Sequence, residues 1–304
     1  MNDMITVVIC YAAGTERVLR TCLSSLGRHD AGAEFGVKVY TDQHGLQEAA
    51  ICCAAHRQRL QILPELVGCP DGIAGSKKHG FLLDEVMRRE KGLVLTLDSD
   101  CFPVAGGWLS NVWDFHKAGI VLPGILWPWE PPDPRMDKDS IEWRVRHIQN
   151  WTNTWVACQL VDVEFVKDHK LSYITGDDTG FSLIEKANEL GLCMKGFMPT
   201  RCASPTWASG FDPEMNRHMC VIYDDRMIHL GGGSSRVGKK EFEHNHLFEE
   251  PIEMTLRKAS ADWLMNSNKA HHYRFDNETE VAAFKMRMMN SGIMRHLQNH
   301  ESIF

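Results

Sequence analysis

Two aspartates, Asp98 and Asp100, stand one residue apart at the end of the apolar run LVLTLDSD. If that run is a strand, side chains two positions apart lie on the same face, so both carboxylates lie together and repel each other. A bound cation relieves this repulsion, and carboxylate oxygens are the ligands that Mg²⁺ and Mn²⁺ prefer, usually alongside substrate phosphates. The alternative is an ordinary turn, in which aspartate is common.

Two further segments carry polar groups suited to a nucleotide. Asp42 follows the strand-like VKVYT, where an acid either accepts hydrogen bonds from a nucleoside or forms a turn. The Gly-rich GIAGSKKHG leads into a helix with Lys77, Lys78 and His79 in its first turn. A helix N-terminus with added cations favours phosphate, although the P-loop pattern is absent and one lysine is expected to be solvated surface.

Two later segments carry groups suited to proton transfer and metal binding. Asp177 and Asp178 precede a helix-like stretch, where they either cap the helix or supply a general base to an acceptor hydroxyl. His229 precedes GGGSSR, which ends in Arg236. A lone histidine is more often structural, but one beside a Gly-rich, Arg-containing loop is a candidate metal ligand next to a diphosphate.

The elements that position these residues alternate between strands and helices through the first 125 residues. This alternation predicts a parallel, doubly wound sheet with its ligand at the carboxyl ends of the strands. Strands are predicted at 6–11, 37–41, 61–63, 93–98 and 120–126, and helices at 15–26, 46–60, 76–89 and 108–117.

The pattern breaks at LWPWEPPDPRMD (126–137), whose four prolines exclude regular structure. Later elements are predicted as strands at 156–165 and 227–230 and helices at 179–190, 253–266 and 278–298. We therefore predict one domain over 1–250, with a nucleotide-binding half of about 1–125 and an acceptor half of about 126–250, followed by a helical C-terminal extension over 251–304.

The composition is that of a soluble globular chain, with 43% hydrophobic and 24% charged residues. A net charge of −7 provides no global basic field for nucleic acid, and no apolar run approaches the ~18 residues of a membrane span. The ten cysteines form no CxxC pair, which favours reduced core residues over disulfides. We expect a cytoplasmic protein without a membrane anchor.

In their order, the segments TVVICY, Asp42, GSKKHG, LDSD, GDDTGFSL and His229 resemble the GT-A glycosyltransferases, in particular family 2, over roughly residues 4–236. The resemblance implies an α/β fold of the GT-A (Rossmann-like) type, with a mixed, mainly parallel sheet flanked by helices. GDDTGFSL replaces the family's Glu-Asp segment, and the Pro and Asn usual after the opening strand are missing, which indicates a divergent member.

The resemblance also implies site roles. It implies a nucleotide-sugar donor, for which we expect a UDP-sugar, and a divalent metal ion, Mn²⁺ or Mg²⁺. Asp178 is the implied base and Asp177 positions the acceptor, with inversion at the sugar carbon. The implied nucleotide-binding residues are Tyr11, Asp42, Lys77, His79, Asp98 and Arg236, and the implied metal ligands are Asp98, Asp100 and His229.

The acceptor is less constrained by the sequence. Trp127, Trp129 and Trp151 lie between the metal motif and the implied base, where they either anchor loops or stack on an acceptor. Nearby basic residues permit hydroxymethylpyrimidine in DNA, as some bacteriophage glycosyltransferases use, beside a glycan or a small molecule. The negative net charge weighs against DNA.

Two alternatives from other classes stay open. A nucleotidyltransferase making a sugar nucleotide needs a basic, Gly-rich loop after the first strand, whereas AAGTER holds only Arg17. A non-catalytic nucleotide-sugar-binding protein has no use for Asp177 and Asp178. The oligomeric state is left open by the sequence.

Overall fold

Strands and helices alternate in the N-terminal part, as the sequence predicts. The computed structural model describes residues 4–126, 154–174, 179–192, 194–197, 199–202, 221–224, 226–229 and 260–261. Up to residue 126 the elements are β1 (Ile5–Tyr11), α1 (Glu16–Arg28), β2 (Phe35–Thr41), α2 (Leu46–His56), β3 (Ile62–Leu66), α3 (Gly75–Arg89), β4 (Leu93–Asp98), β5 (Cys101–Pro103), α4 (Trp108–Lys117) and β6 (Gly124–Leu126).

The later elements are shorter and mostly strands. They are β7 (Thr154–Asp162), α5 (Val163–Asp168), α6 (Phe181–Glu189), β8 (Gly196–Phe197), β9 (Pro199–Cys202), β10 (Val221–Tyr223), β11 (Met227–His229) and β12 (Ser260–Ala261). The strand predicted at 156–165 ends early because Asp162 caps α5, its side chain accepting the Glu164 N–H at 3.0 Å.

The main sheet has the strand order β3-β2-β1-β4-β7-β6-β8. The pairs β1–β2, β1–β4, β2–β3 and β6–β8 are parallel, whereas β7 runs antiparallel to both β4 and β6. The mixed, mainly parallel sheet is therefore confirmed. The prediction of a purely parallel sheet, made from the alternation of strands and helices, is wrong at β7. Alternation predicts parallel pairing because parallel strands need a crossover helix, whereas antiparallel strands such as β7 and its neighbours do not.

Both faces of this sheet are covered by helices. On one face Val7, Ile9 and Leu95 are buried with side chains of α1, α2 and α4. On the other face Val8 and Val94 are buried with the apolar side of α3. Because α3 is held against the sheet by this burial, its N-terminal turns are fixed at the carboxyl ends of β1 and β4.

A second sheet joins distant parts of the chain, in the order β12-β9-β10-β11-β5. β5 follows the two aspartates directly and pairs antiparallel with β11, placing His229 opposite Cys101. Ser260–Ala261 pairs with β9 and is a strand, although 253–266 is predicted as helix. The rest of the predicted C-terminal extension lies outside the described residues, and the boundary at 250 stays a prediction.

Two composition-based expectations can be compared with the described ranges. The cysteines described there form no disulfide with one another, and Cys22, Cys52, Cys53, Cys101 and Cys158 are buried. Across the same ranges, no helix combines the length and apolar character that crossing a bilayer requires.

Candidate active site

The carboxyl ends of β1 and β4 and the start of α3 enclose a cleft of about 430 Å³. This volume is within the range of small-molecule sites, about 300–1,000 Å³. Its polar and charged lining comes from Tyr11 on β1, Ser76, Lys78 and His79 on α3, and Asp98 and Ser99 at the end of β4.

Asp98, Asp100 and His229 form a potential metal-binding group beside this cleft. One ligand atom from each lies within 4.8 Å of the others, and His229 Nε2 is 3.6 Å from Asp100 Oδ1. Asp100 and His229 are both buried, with about 2% of each residue exposed. The β5–β11 register explains the meeting, because Cys101 opposite His229 directly follows Asp100.

The donor set fits a divalent ion. Two ligands at about 2.1 Å from one ion stand at most about 4.2 Å apart, so small side-chain movements bring all three groups onto one centre. The Trp155 ring meets the His229 ring edge-on at 4.4 Å, and His229 Nδ1 is buried without a hydrogen-bond partner among the described residues. The two carboxylates suit Mg²⁺ or Mn²⁺, whereas the imidazole nitrogen favours a transition-metal ion over Mg²⁺.

Asp42 lies behind the cleft and holds Lys78 in place. Its buried carboxylate pairs with the Lys78 ammonium and accepts the N–H groups of His44 and Gly45, each at 3.1 Å. Burial alone raises the pKa of Asp42, but the lysine and the two N–H donors outweigh it and hold that pKa below its ordinary value. Lys78 rather than Asp42 therefore faces the cleft. Lys77 is exposed and not part of its lining.

Tyr11 is fixed by an acid on α2 for which the sequence carries no signal. The Tyr11 hydroxyl donates to Glu48, which also accepts the Gly14 N–H at 2.8 Å. Burial and this hydrogen bond raise the pKa of Tyr11. Gly45 packs against the Tyr11 ring, where an added Cβ would lie 3.1 Å from a ring carbon and run into Thr41 Oγ1. The β1–α1 loop is thereby held at the cleft.

His79 contacts one of the two aspartates. Its Nε2 lies 3.2 Å from Asp98 Oδ1, and both side chains are about one-quarter exposed. The structure therefore brings together, from the predicted set, Tyr11, His79 and Asp98 at the cleft, with Asp100 and His229 beside them.

Six predicted residues lie outside the described ranges, so their roles stay predictions. Thr179, which follows the predicted acids, donates from Oγ1 to the Ser76 carbonyl at 3.1 Å. Asp84 of α3 accepts the Tyr173 N–H at 2.6 Å, on the other side of the gap. The six residues are Trp127, Trp129, Trp151, Asp177, Asp178 and Arg236.

No protein-family model matches the chain, and no curated protein matches its sequence. Among solved structures, it is similar to a fragment of Staphylococcus aureus TarS in complex with UDP-GlcNAc, at 18% identity over 60% of this chain and 52% of that one, with a TM-score of 0.40. It is also similar to the glycosyltransferase GlyE of Streptococcus pneumoniae, at 12% identity over 83% and 53%, with a TM-score of 0.42.

A third solved structure, a 4-diphosphocytidyl-2C-methyl-D-erythritol synthase of Anaerococcus prevotii, matches at 13% identity over 65% of this chain and 87% of that one, with a TM-score of 0.42. The match spans about half the length of the TarS fragment and of GlyE. These likenesses are distant, so function is argued from the site itself.

Proposed function

We propose that this chain is a metal-dependent glycosyltransferase that moves a sugar from a nucleoside-diphosphate sugar to an acceptor hydroxyl. The observation that supports it best is the meeting of Asp98, Asp100 and His229 next to a cleft that Lys78 also lines. Two acids and an imidazole beside a cationic cleft suit a metal–diphosphate group better than an uncharged ligand.

The donor is proposed to lie in the cleft with its diphosphate toward α3. Helix N-termini favour anions, and the first turn of α3 offers Ser76 and Lys78 to this space. Tyr11 and the loop after β1 form the opposite wall. Arg236 is proposed to approach the same diphosphate, as is Lys77 from the exposed surface outside the cleft lining, and a UDP-sugar is the proposed donor.

The chemistry follows from where charge develops. As the bond between the sugar and the diphosphate breaks, negative charge accumulates on the leaving diphosphate. Asp98, Asp100 and His229 would hold a divalent ion, here proposed as Mn²⁺, which would supply positive charge to that leaving group. The Lys78 ammonium, fixed by Asp42, faces the same charge.

The acceptor hydroxyl needs a base on the opposite side of the sugar carbon. Asp178 is proposed to take its proton and Asp177 to orient the acceptor, which inverts the configuration at that carbon. Trp127, Trp129 and Trp151 are proposed to contact the acceptor, whether a glycan, a small molecule or hydroxymethylated DNA. The cysteines within the described ranges form no disulfides, which agrees with a proposed cytoplasmic location.

The loop after β1 argues against a nucleotidyltransferase. In such an enzyme this loop would offer its N–H groups to a nucleotide phosphate, whereas here the Gly14 N–H is taken by the Glu48 carboxylate. A carboxylate at that place repels phosphate.

The proposal is tested by thermal shift with UDP-, GDP-, CMP- and dTDP-sugars, with and without Mn²⁺. A ligand at a hundred times its Kd adds about 2.7 kcal/mol of stability. We expect one nucleotide class to stabilise the wild type only with Mn²⁺, and Asp100→Asn not to respond. Asp114→Asn, which changes an exposed acid on α4, is the matched control. Stabilisation of Asp100→Asn equal to wild type contradicts the metal assignment, and pyrophosphate release from NTP and sugar phosphate contradicts the reaction class.

A further inference from the structure

Each aspartate of the pair faces an imidazole of its own. His79 Nε2 lies 3.2 Å from Asp98 Oδ1, and His229 Nε2 lies 3.6 Å from Asp100 Oδ1. His229 belongs to the group whose ligand atoms converge, whereas His79 does not. The two histidines therefore have different relations to the same centre.

The two aspartates also differ in how firmly burial holds them. The Asp100 side chain is 3% exposed, so packing alone restricts its rotation. The Asp98 side chain is 24% exposed, and its like-charged neighbour is close by. Repulsion favours rotation of the more exposed carboxylate toward solvent unless a donor holds it. His79 is one donor that is placed to hold it.

His79 itself sits on a rigid part of α3. The next residue, Gly80, packs closely against the segment around Tyr173 of the same chain. An added Cβ at Gly80 would lie 2.7 Å from the Tyr173 carbonyl oxygen. One turn later, Asp84 accepts the Tyr173 N–H at 2.6 Å and the Ser172 hydroxyl at 2.6 Å. These contacts fix the part of the helix backbone from which the His79 side chain extends.

We propose that His79 is a positioning residue that donates from Nε2 to Asp98 Oδ1 and so presents the Asp98 carboxylate to a cation shared with Asp100 and His229. The inference rests on the metal site of the proposed function. It differs from a role at the diphosphate, because a positioning residue acts on metal affinity before any nucleotide binds. Outer hydrogen-bond partners of metal ligands typically change metal affinity by about 10–100-fold.

The test measures Mn²⁺ affinity of the full chain without nucleotide, from the electron paramagnetic resonance signal of free Mn²⁺. We expect His79→Ala to weaken Mn²⁺ binding about 10–100-fold. His79→Gln keeps an N–H donor of similar reach and should recover most of the affinity. His44→Ala is the matched control, because this exposed histidine supplies only its backbone N–H to Asp42.

Five outcomes decide between the positioning role and its alternatives. Wild-type Mn²⁺ affinity in His79→Ala, with weaker UDP binding, overturns the inference in favour of the diphosphate role. A His79→Gln variant as weak as His79→Ala makes the histidine a ligand and also overturns it. In an Asp98→Asn background, a positioning role leaves His79→Ala without further effect, whereas an additive loss refutes action through Asp98. A wild type that binds no Mn²⁺ removes the proposed metal site itself.

Folding is checked by circular dichroism and urea unfolding of each variant. If His79→Ala does not fold, His79→Asn replaces it, since its shorter amide does not reach Asp98. The same expectation and the same contradiction then apply to the asparagine variant.

Discussion

Replacing Lys78 with methionine removes the cation that faces the buried Asp42 carboxylate. In the ion pair the Asp42 side chain is 5% exposed and that of Lys78 is 23% exposed. Removing one partner of a fully buried pair costs about 3–5 kcal/mol, because a charge is left uncompensated. Here the two backbone N–H donors remain and Lys78 is partly solvated, so we expect a smaller loss of about 1–3 kcal/mol in the free energy of unfolding at neutral pH.

The loss should depend on pH in a defined direction. Because the pKa of Asp42 is lowered in the folded wild type, the pair's contribution is fully present above the ordinary carboxyl pKa and disappears as pH falls through the folded value. In Lys78→Met only the two backbone N–H donors oppose the effect of burial on the Asp42 carboxylate, so the pKa of Asp42 rises. The stability gap between wild type and variant should therefore narrow from about pH 5 to about pH 3.

Urea unfolding at several pH values measures this gap. Lys117→Met is the matched control, because Lys117 pairs with Asp114 on the surface, where both side chains are more than half exposed and the pair contributes about 0–1 kcal/mol. The double variant Asp42→Asn/Lys78→Met should lose less than the sum of its single changes. A Lys78→Met variant as stable as Lys117→Met, or a gap that stays constant with pH, would refute the reasoning.

Three further outcomes are expected. Gly80→Ala should lower the free energy of unfolding despite the better helix propensity of alanine, since the new Cβ meets the Tyr173 carbonyl. Gly68→Ala is the control, because a Cβ at Gly68 would lie in open space. Equal urea midpoints of the two variants would contradict the close contact at Gly80. Asp100→Asn should abolish Mn²⁺ binding measured by calorimetry while leaving the fold intact by circular dichroism; undiminished binding would exclude this ligand. Tyr11→Phe should cost about 0.5–1.5 kcal/mol by urea unfolding and weaken nucleotide affinity, because its hydrogen bond to the acid on α2 is lost; unchanged values would exclude that role.

The alternation of strands and helices could be predicted because it depends on the local periodicity of apolar residues. The apolar runs of β1 and β4 and the one-sided apolar pattern of α1 depend only on neighbours along the chain. The orientation of β7 could not be predicted in this way, because it depends on pairing with β4 across a long connection.

Within the candidate site, the residues that could be predicted are those with unusual local patterns. Asp98 and Asp100 stand out because two acids end an apolar strand. Lys78 could not be separated from Lys77, since the choice depends on which way the first turn of α3 faces and on Asp42. Glu48 looks like any acid in the first turn of a helix until the Tyr11 hydroxyl and the Gly14 N–H are seen to meet it.

Because β5 pairs with β11, the candidate metal site is completed late in the synthesis of the chain. Asp100 leaves the ribosome long before His229, and the strand that carries His229 completes the group only when it docks beside Cys101. Until then the nascent sheet carries two neighbouring carboxylates with no imidazole from β11. Closing the loop of about 130 residues between Asp100 and His229 restricts the unfolded chain by about 5 kcal/mol in the entropy model used for cross-links. An ion bound by the group would hold β5 and β11 together reversibly. Removing that ion with a chelator should therefore speed backbone amide hydrogen exchange first in β5 and β11.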